Sequence, residues 1–317
     1  RMTVSSGRAQ HSTIRPVDDV SFDIPEAQTL GLVGESGCGK STLGRAILML
    51  QKPSAGQVWI AGKEWTALSP RELRRTRSRA QLIFQDPFGS FNPRRTIRDA
   101  LVEAARLRIP DGPTAGRSAV ECVEERVGSL LAMVELDSRL ADRRPDQCSG
   151  GQLQRAAVAR ALAVGPQFLV ADEPTSALDV SIQAQLMNLL TDVQEELRLA
   201  YLFISHNLAV IRQMSAYVGV MYLGQIVEIA DSDQLFEEPL HPYTQALVSA
   251  VPVPDPERER NRQRIRLGGS VPSMLQPPSG CHFHPRCPLA MPICQTRGPK
   301  LLTRDDGRAV ACHLYST

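Results

Sequence analysis

Residues 34–42 read Gly-Glu-Ser-Gly-Cys-Gly-Lys-Ser-Thr, between an apolar run at 29–33 and an amphipathic run that starts at Leu43. The spacing G-x-x-x-x-G-K-S describes a backbone that wraps a chain of phosphates. Gly34, Gly37 and Gly39 allow the N–H groups of the loop, which also holds Glu35, Ser36, Cys38 and Thr42, to approach phosphate oxygens. The helix that must follow turns its positive end toward the same anion. Lys40 can reach the β- and γ-phosphates, and Ser41 can ligate Mg²⁺. A glycine turn that merely caps a helix is the plain alternative; a strand before and a helix after disfavour it.

Two later stretches carry related chemistry. Residues 168–173 form an apolar strand that ends in Asp172 and Glu173. An acid at the carboxyl end of such a strand sits where the Mg²⁺ of a phosphate-loop nucleotide is held, so Asp172 is expected in the Mg²⁺ shell. Glu173 is expected to polarise the attacking water. Two surface acids would be the bland reading, but Pro-Thr-Ser-Ala-Leu-Asp follows at once. Cys148-Ser149-Gly150-Gly151-Gln152 precedes a helical run. Ser149 can cap that helix and the glycines bare its N–H groups, which makes a second phosphate-binding helix end.

A third cluster is cysteine. Cys38, Cys122 and Cys148 are scattered, whereas Cys281, Cys287, Cys294 and Cys312 crowd the C-terminal end. Seven is an odd number, which disfavours a simple secreted disulfide framework, and disulfides do not suit a reducing cytosol. Zinc usually shows closely spaced cysteine knuckles, absent here. A [4Fe–4S] cluster fits the ligand count but not the common spacings. His282, His284 and His313 adjoin the thiols and read as solvent-facing or as standing behind the ligands.

The elements that must position these groups alternate. Residues 12–24 show the partial period-two pattern of a strand, closed by Pro25. Short strands are expected at 58–62, 80–84, 168–171 and 201–204, with helices at 69–79, 152–164 and 182–197 and two strands around Gly224-Gln225. Residues 97–136 read as at least two helices divided by Pro110-Asp111-Gly112-Pro113. The alternation implies a parallel sheet with right-handed crossovers and a helical insertion.

With 42% hydrophobic and 22% charged residues, the 317-residue chain has an ordinary globular composition. A net charge of +2 gives no global pull toward nucleic acid or membrane. No run approaches bilayer length and no secretory signal is visible. The start at Arg1-Met2 suits a fragment or one half of a longer polypeptide. The charged run 257–266 lacks interleaved aromatics and reads as a solvated linker or helix face rather than a nucleic-acid contact.

Taken together, the phosphate loop, Gln85, Ser149–Gln152, Asp172-Glu173, Ser176-Ala177-Leu178-Asp179 and His206 resemble the full motif set of an ATP-binding cassette (ABC) ATPase, over about residues 17–230. The segments Gln85-Asp86-Pro87-Phe88-Gly89-Ser90-Phe91-Asn92-Pro93-Arg94, His241–Leu247 and Pro277–Cys281 are similar to those of oligopeptide and dipeptide importer ATPases. The resemblance implies an α/β P-loop NTPase fold: a RecA-like parallel sheet, an antiparallel β subdomain and a helical subdomain at about 90–150, together residues 1–230. It further implies a small Cys-rich metal-binding extension at 231–317. It implies a head-to-tail pair of cassettes, paralogous or fused, each ATP held between one phosphate loop and the other cassette's Ser149–Gln152 helix, with Asp179 at the dimer interface.

On the same resemblance, Gln85 senses Mg²⁺ and the γ-phosphate while its loop meets a membrane partner, and His206 contacts the γ-phosphate. Lys40, Glu173 and His206 would carry the chemistry, and Ser41, Gln85 and Asp172 the Mg²⁺. The resemblance favours a [4Fe–4S] cluster over Zn²⁺ at Cys281, Cys287, Cys294 and Cys312. Partners would be two integral membrane permease subunits and, indirectly, an extracytoplasmic peptide-binding protein, with the chain at the cytoplasmic face of the membrane and no nucleic acid. The expected activity is ATP hydrolysis that powers import of di- or oligopeptides. The alternatives are a non-transport ABC ATPase and an importer of another solute such as a metal chelate. Two positions depart from the pattern. Cys148 stands where Leu or Phe is usual, with little effect expected. No aromatic precedes Phe22 to stack on adenine, so the family's stacking aromatic is either missing or cut off with the N-terminus; His11 or Arg15 could substitute.

Overall fold

The structure is a computed structural model that describes residues 2–6, 10–108, 118–176, 178–252 and 264–315, with side chains from Ile14 onward. The chain opens with an antiparallel pair, β1 (Met2–Ser6) and β2 (Gln10–Ile14). A fully buried strand, β3 (Thr29–Val33), leads into α1 (Lys40–Ile47). A small hairpin of β4 (Trp59–Ile60) and β5 (Lys63–Glu64) precedes α2 (Pro70–Thr76), β6 (Ala80–Ile83) and the one-turn α3 (Pro87–Ser90). Helices α4 (Ile97–Arg106), α5 (Ala119–Met133) and α6 (Gly150–Ala163) follow, then β7 (Phe168–Asp172), α7 (Val180–Leu197), β8 (Ala200–Ile204) and α8 (Leu208–Met214). The C-terminal third holds β9 (Tyr217–Tyr222), β10 (Gln225–Asp231), α9 (Ser232–Glu237), α10 (Pro242–Ala250), α11 (Pro292–Thr296), β11 (Leu302–Thr303) and β12 (Ala309–Val310).

The chain divides into two compact units. The first comprises residues 1–23, 29–46 and 203–317, the second 24–28 and 47–202. In the first, β3 runs parallel to β9, with Leu30 opposite Tyr217 and Val33 opposite Val220. Strand β10 returns antiparallel to β9 with a register shift between Ile226 and Glu228. The Cys-rich tail then adds β12 to β10 and β11 to β12, both antiparallel. In the second unit, β6 and β7 pair in parallel, with Ala80 opposite Phe168. Helix α6 packs on α3, α4, α5 and β6 around the fully buried Leu101, Leu130, Leu153 and Leu162. Reciprocal capping boxes start α2 (Ser69, Glu72), α4 (Thr96, Asp99), α5 (Ser118, Glu121) and α6 (Ser149, Gln152), each satisfying two orphan N–H groups.

The strand expected over residues 12–24 ends at Ile14. From Val20 to Ile24 burial does alternate, but no ladder forms there. Proline at 16 and the left-handed backbone of Asp19 (φ 53°) turn the chain before a second strand could pair. The loop expected at Pro110–Pro113 lies outside the described residues.

Helix α10 starts on a buried histidine. The ring Nδ1 of His241 accepts from the backbone N–H of Tyr243 at 3.1 Å, and the backbone N–H of His241 donates to the buried Glu228 carboxylate at 2.8 Å. Burial pushes His241 down to about 3 and the Glu228 carboxyl up. An unfolded histidine titrates near about 6.5, so the unfolded chain gains a proton below that pH that the folded chain refuses. This contribution to stability is complete above about pH 6.5 and is lost as pH falls, by up to about 1.4 kcal/mol per pH unit. The substitution His241→Asn keeps a cap acceptor and should flatten the loss between pH 7 and 5 in urea unfolding, although it leaves a void beside Phe283. Equal slopes in the two proteins would contradict the assignment.

Candidate nucleotide site

Strand β3 delivers the chain into the phosphate loop with all five residues buried. Two glycines there are required for different reasons. At Gly37 (φ 80°) a Cβ would meet nothing within 4 Å, so the need is conformational and the loop's face stays open to a ligand. At Gly39 (φ 110°) a Cβ would stand 1.9 Å from the carbonyl oxygen of Pro16, so close packing adds to the conformational need. Lys40 is buried, and its Nζ folds back over the loop to donate to the carbonyls of Gly34 (2.7 Å) and Glu35 (3.1 Å) and to Cys38 Sγ (3.7 Å). Burial raises the Cys38 thiol more than Lys40 lowers it. Helix α1 begins where Leu43 N–H donates to Gly39 O at 2.9 Å, with Ser41 and Thr42 half-buried in its first turn.

Glu35 and Ser36 were expected to serve the nucleotide through this loop. Ser36 is exposed. The side chain of Glu35 turns to Arg286, which grips it through both guanidinium arms at 2.7 and 3.0 Å. The backbone N–H of Glu35 donates to the Tyr243 hydroxyl at 2.9 Å. Arg286 is the residue that sequence reading missed. An arginine in a proline-stiffened cysteine segment gives no spacing signal toward a carboxylate 251 positions earlier.

In the same unit, His206 is exposed and follows β8, where Ser205 N–H donates to Leu32 O of β3 at 3.2 Å. Asn207 next caps α8 by accepting from Ala209 N–H. The histidine therefore leaves one strand as the phosphate loop leaves its neighbour. The first unit brings Gly34–Thr42 and His206 to neighbouring strand ends.

The second unit gathers the acids. Asp172 ends β7 and is buried. Glu173 adopts a left-handed backbone (φ 49°), rare for a residue with a side chain and common at functional sites. Its carbonyl accepts from the N–H and hydroxyl of Ser176 (3.2 and 3.0 Å), which holds the turn. Gln85 Nε2 donates to Glu173 Oε2 at 3.1 Å, joining two residues that sequence alone leaves 88 positions apart. Ala177 lies outside the described residues. Asp179 starts α7 without capping it through its side chain and is exposed. Ser149 Oγ and Gln152 Oε1 are engaged in their capping box at 3.3 and 3.0 Å. Gly151 lies so close to α7 that a Cβ would stand 2.6 Å from Ile182, and Gly150 faces Leu178. The glycine helix end and the Asp179 turn are thus packed together. Arg15, a candidate for adenine, is half-exposed and pairs with Asp18 at 3.4 Å, whereas the side chain of His11 lies outside what is described.

None of the four tail cysteines is joined in a disulfide among the described residues. Burial raises Cys281 and Cys287 and pushes Cys312 up to about 11, with Cys281, Cys287 and Cys294 adding to the last shift. Cys281 N–H donates to Cys294 O at 2.8 Å. Yet among the described residues no three His, Cys, Asp or Glu side chains converge as a metal-ligating group. The ligand set expected from the sequence is therefore not assembled. Protonated, desolvated thiols pack as small apolar groups and are under no demand to converge.

Comparison with known proteins bears on these observations. Residues 17–176 match the family described as ABC transporter, and residues 227–294 match the oligopeptide/dipeptide transporter C-terminal region. The oligopeptide transport ATP-binding protein AppF of Bacillus subtilis (strain 168) is 48% identical over 304 residues, 96% of this chain and 90% of that protein. The probable peptide ABC transporter ATP-binding protein y4tS of Sinorhizobium fredii is 47% identical over 306 residues, 95% of this chain and 83% of that protein. Among solved structures, the dimeric post-hydrolysis state of the cassette MJ0796 bound to ADP and Pi aligns with a TM-score of 0.62. It is 30% identical and covers 73% of this chain and 95% of that one. Among the described residues no helix is long and apolar enough to cross a membrane.

Proposed function

Because the chain belongs to the ABC transporter ATPases, with the C-terminal region of their oligopeptide/dipeptide branch, we propose that it hydrolyses ATP to power peptide import as the nucleotide-binding subunit of a membrane complex. The observation that carries the reading is the buried Lys40 folded back over the phosphate loop, in a chain with a carboxylate on a strained turn at Glu173, oriented by Gln85. The loop amides and Lys40 hold the phosphates, and His206 contacts the γ-phosphate. Glu173 orients the attacking water, and no covalent intermediate on the protein is needed. Ser41, Asp172 and Gln85 would hold Mg²⁺ through the hard oxygen donors it takes, and charge neutralisation at the transferring group is what the bound ion would supply.

Two helix ends for phosphate in one chain fit a head-to-tail pair of cassettes. Ser149–Gln152 would then serve the partner's nucleotide, and Asp179, whose carboxylate does not cap its own helix, would face the partner. Residues 1–230 would form the cassette and 231–317 its extension. The exposed Phe84 and Phe88 flanking Gln85 suit contact with two permease subunits, which would hold the chain at the cytoplasmic face of the membrane and take peptides from an extracytoplasmic binding protein. The test is reconstitution with those subunits. ATP-dependent peptide uptake into proteoliposomes is expected, and an ATPase that co-purifies with no integral membrane protein would favour the non-transport alternative.

For the tail we propose a structural [4Fe–4S] cluster on Cys281, Cys287, Cys294 and Cys312. Four thiols that form no disulfide and lie within electrostatic reach of one another support it, and the ligand count fits. Binding would deprotonate and converge the thiols. Anaerobically purified protein should carry about four iron and four sulfide per chain. Colourless protein with one zinc per chain would overturn this in favour of the other metal.

A further inference from the structure

The Cys-rich tail reaches the phosphate loop, and the geometry points to a role there. A 3₁₀ turn at His284–Arg286 follows Phe283, and Arg286 N–H donates to Phe283 O at 3.0 Å. With three residues per turn, positions i and i+3 eclipse, so Phe283 and Arg286 leave the turn on one side. Phe283 is 1% exposed and seats among Tyr222, Tyr243 and His241, at ring-centre distances of 5.3, 5.4 and 5.5 Å. Beside it Arg286, its side chain 8% exposed, forks onto the Glu35 carboxylate and reaches the Tyr222 hydroxyl at 3.4 Å.

We propose that Arg286 is a positioning residue for ATP binding: it fixes Glu35, and through it the backbone that holds Lys40. Glu35 is held at both ends, by Arg286 at its carboxylate and by the Tyr243 hydroxyl at its N–H. Its carbonyl, with that of Gly34, accepts from the Lys40 ammonium. A bidentate Arg–carboxylate pair fixes direction as well as distance, so the loop's N–H groups are set before a nucleotide arrives. Without the fork the loop would have to be ordered by the nucleotide itself, and affinity would fall. Lysine cannot reproduce a planar two-armed grip. The tail thereby sets the nucleotide affinity of the loop it touches. This rests on the reading that Gly34–Thr42 binds ATP.

The test is Mg-ATP titration of the full chain by calorimetry, with thermal melting measured without nucleotide. Arg286→Ala and Glu35→Ala should each weaken ATP about tenfold, and the double variant should be no weaker than either single one. Arg286→Lys should recover part of the loss, and Tyr243→Phe, which removes only the hydroxyl, should show a smaller one. Should Arg286→Ala fail to fold, the lysine and phenylalanine variants carry the same comparison. A lowered melting temperature with unchanged ATP affinity would make Arg286 merely structural and overturn the proposal, as would additive losses. If the unsubstituted chain itself binds no ATP, the functional reading fails first, a result distinguishable from normal binding that is insensitive to Arg286.

Discussion

Glu173→Gln should leave ATP binding intact and slow its hydrolysis about a thousandfold, the scale of a removed general base. The structural disturbance is small for identifiable reasons. Ser176 bonds to the main-chain carbonyl of Glu173, so the turn is held whatever side chain it bears. Glutamine has the same length, and its amide oxygen can still accept from Gln85 Nε2, which lies 3.1 Å from Glu173 Oε2. The left-handed backbone strains both residues alike. What disappears is the negative charge that, in the proposed mechanism, would draw a proton from the attacking water. The assay is single-turnover hydrolysis in the complete transporter, beside equilibrium ATP binding by the same variant. Hydrolysis at the unsubstituted rate would move the catalytic base elsewhere, and a matching fall in affinity would show that Glu173 binds rather than reacts.

The Gln85–Glu173 pair also marks the line between what sequence reveals here and what it hides. The phosphate loop, the glycine helix end and the strand ending in Asp172 are each contiguous, and their chemistry follows from local spacing. Their elements lie within a few residues of expectation: 152–164 against Gly150–Ala163, and 201–204 against Ala200–Ile204. Local signals failed where a partner decides the outcome. Residues 20–24 have the burial period of a strand but no ladder, because pairing is a property of the neighbour as well as of the segment. Glu35 reads as one of the loop's variable positions, and only folding reveals the Arg286 fork and the Tyr243 hydroxyl, 251 and 208 residues away. The four cysteines are legible as a group, but where their side chains settle is decided by burial and packing.

Lys40→Met should weaken ATP binding at least about a hundredfold while leaving a folded chain. The ammonium donates to the carbonyls of Gly34 and Glu35 and to the Cys38 thiol. Methionine keeps the apolar stem and removes a buried charge. The lost hydrogen bonds, charge-assisted and each worth about 1.5–3 kcal/mol, are partly offset by the ammonium's relieved desolvation. With ATP bound, the ammonium would instead donate to β- and γ-phosphate oxygens. Two charge-assisted bonds at about 1.5–3 kcal/mol each amount to a loss of at least about a hundredfold. ADP lacks one of those oxygens, so its affinity should fall less. That inequality separates Lys40 from Arg286, although both act on Glu35. The first meets phosphate and should discriminate ATP from ADP, whereas the second only orders the loop and should weaken both nucleotides alike. Parallel titrations of the two variants with ATP and ADP check this. Equal losses for both nucleotides in Lys40→Met would place the ammonium in loop support, and a selective loss of ATP in Arg286→Ala would place the tail's arginine within reach of the γ-phosphate.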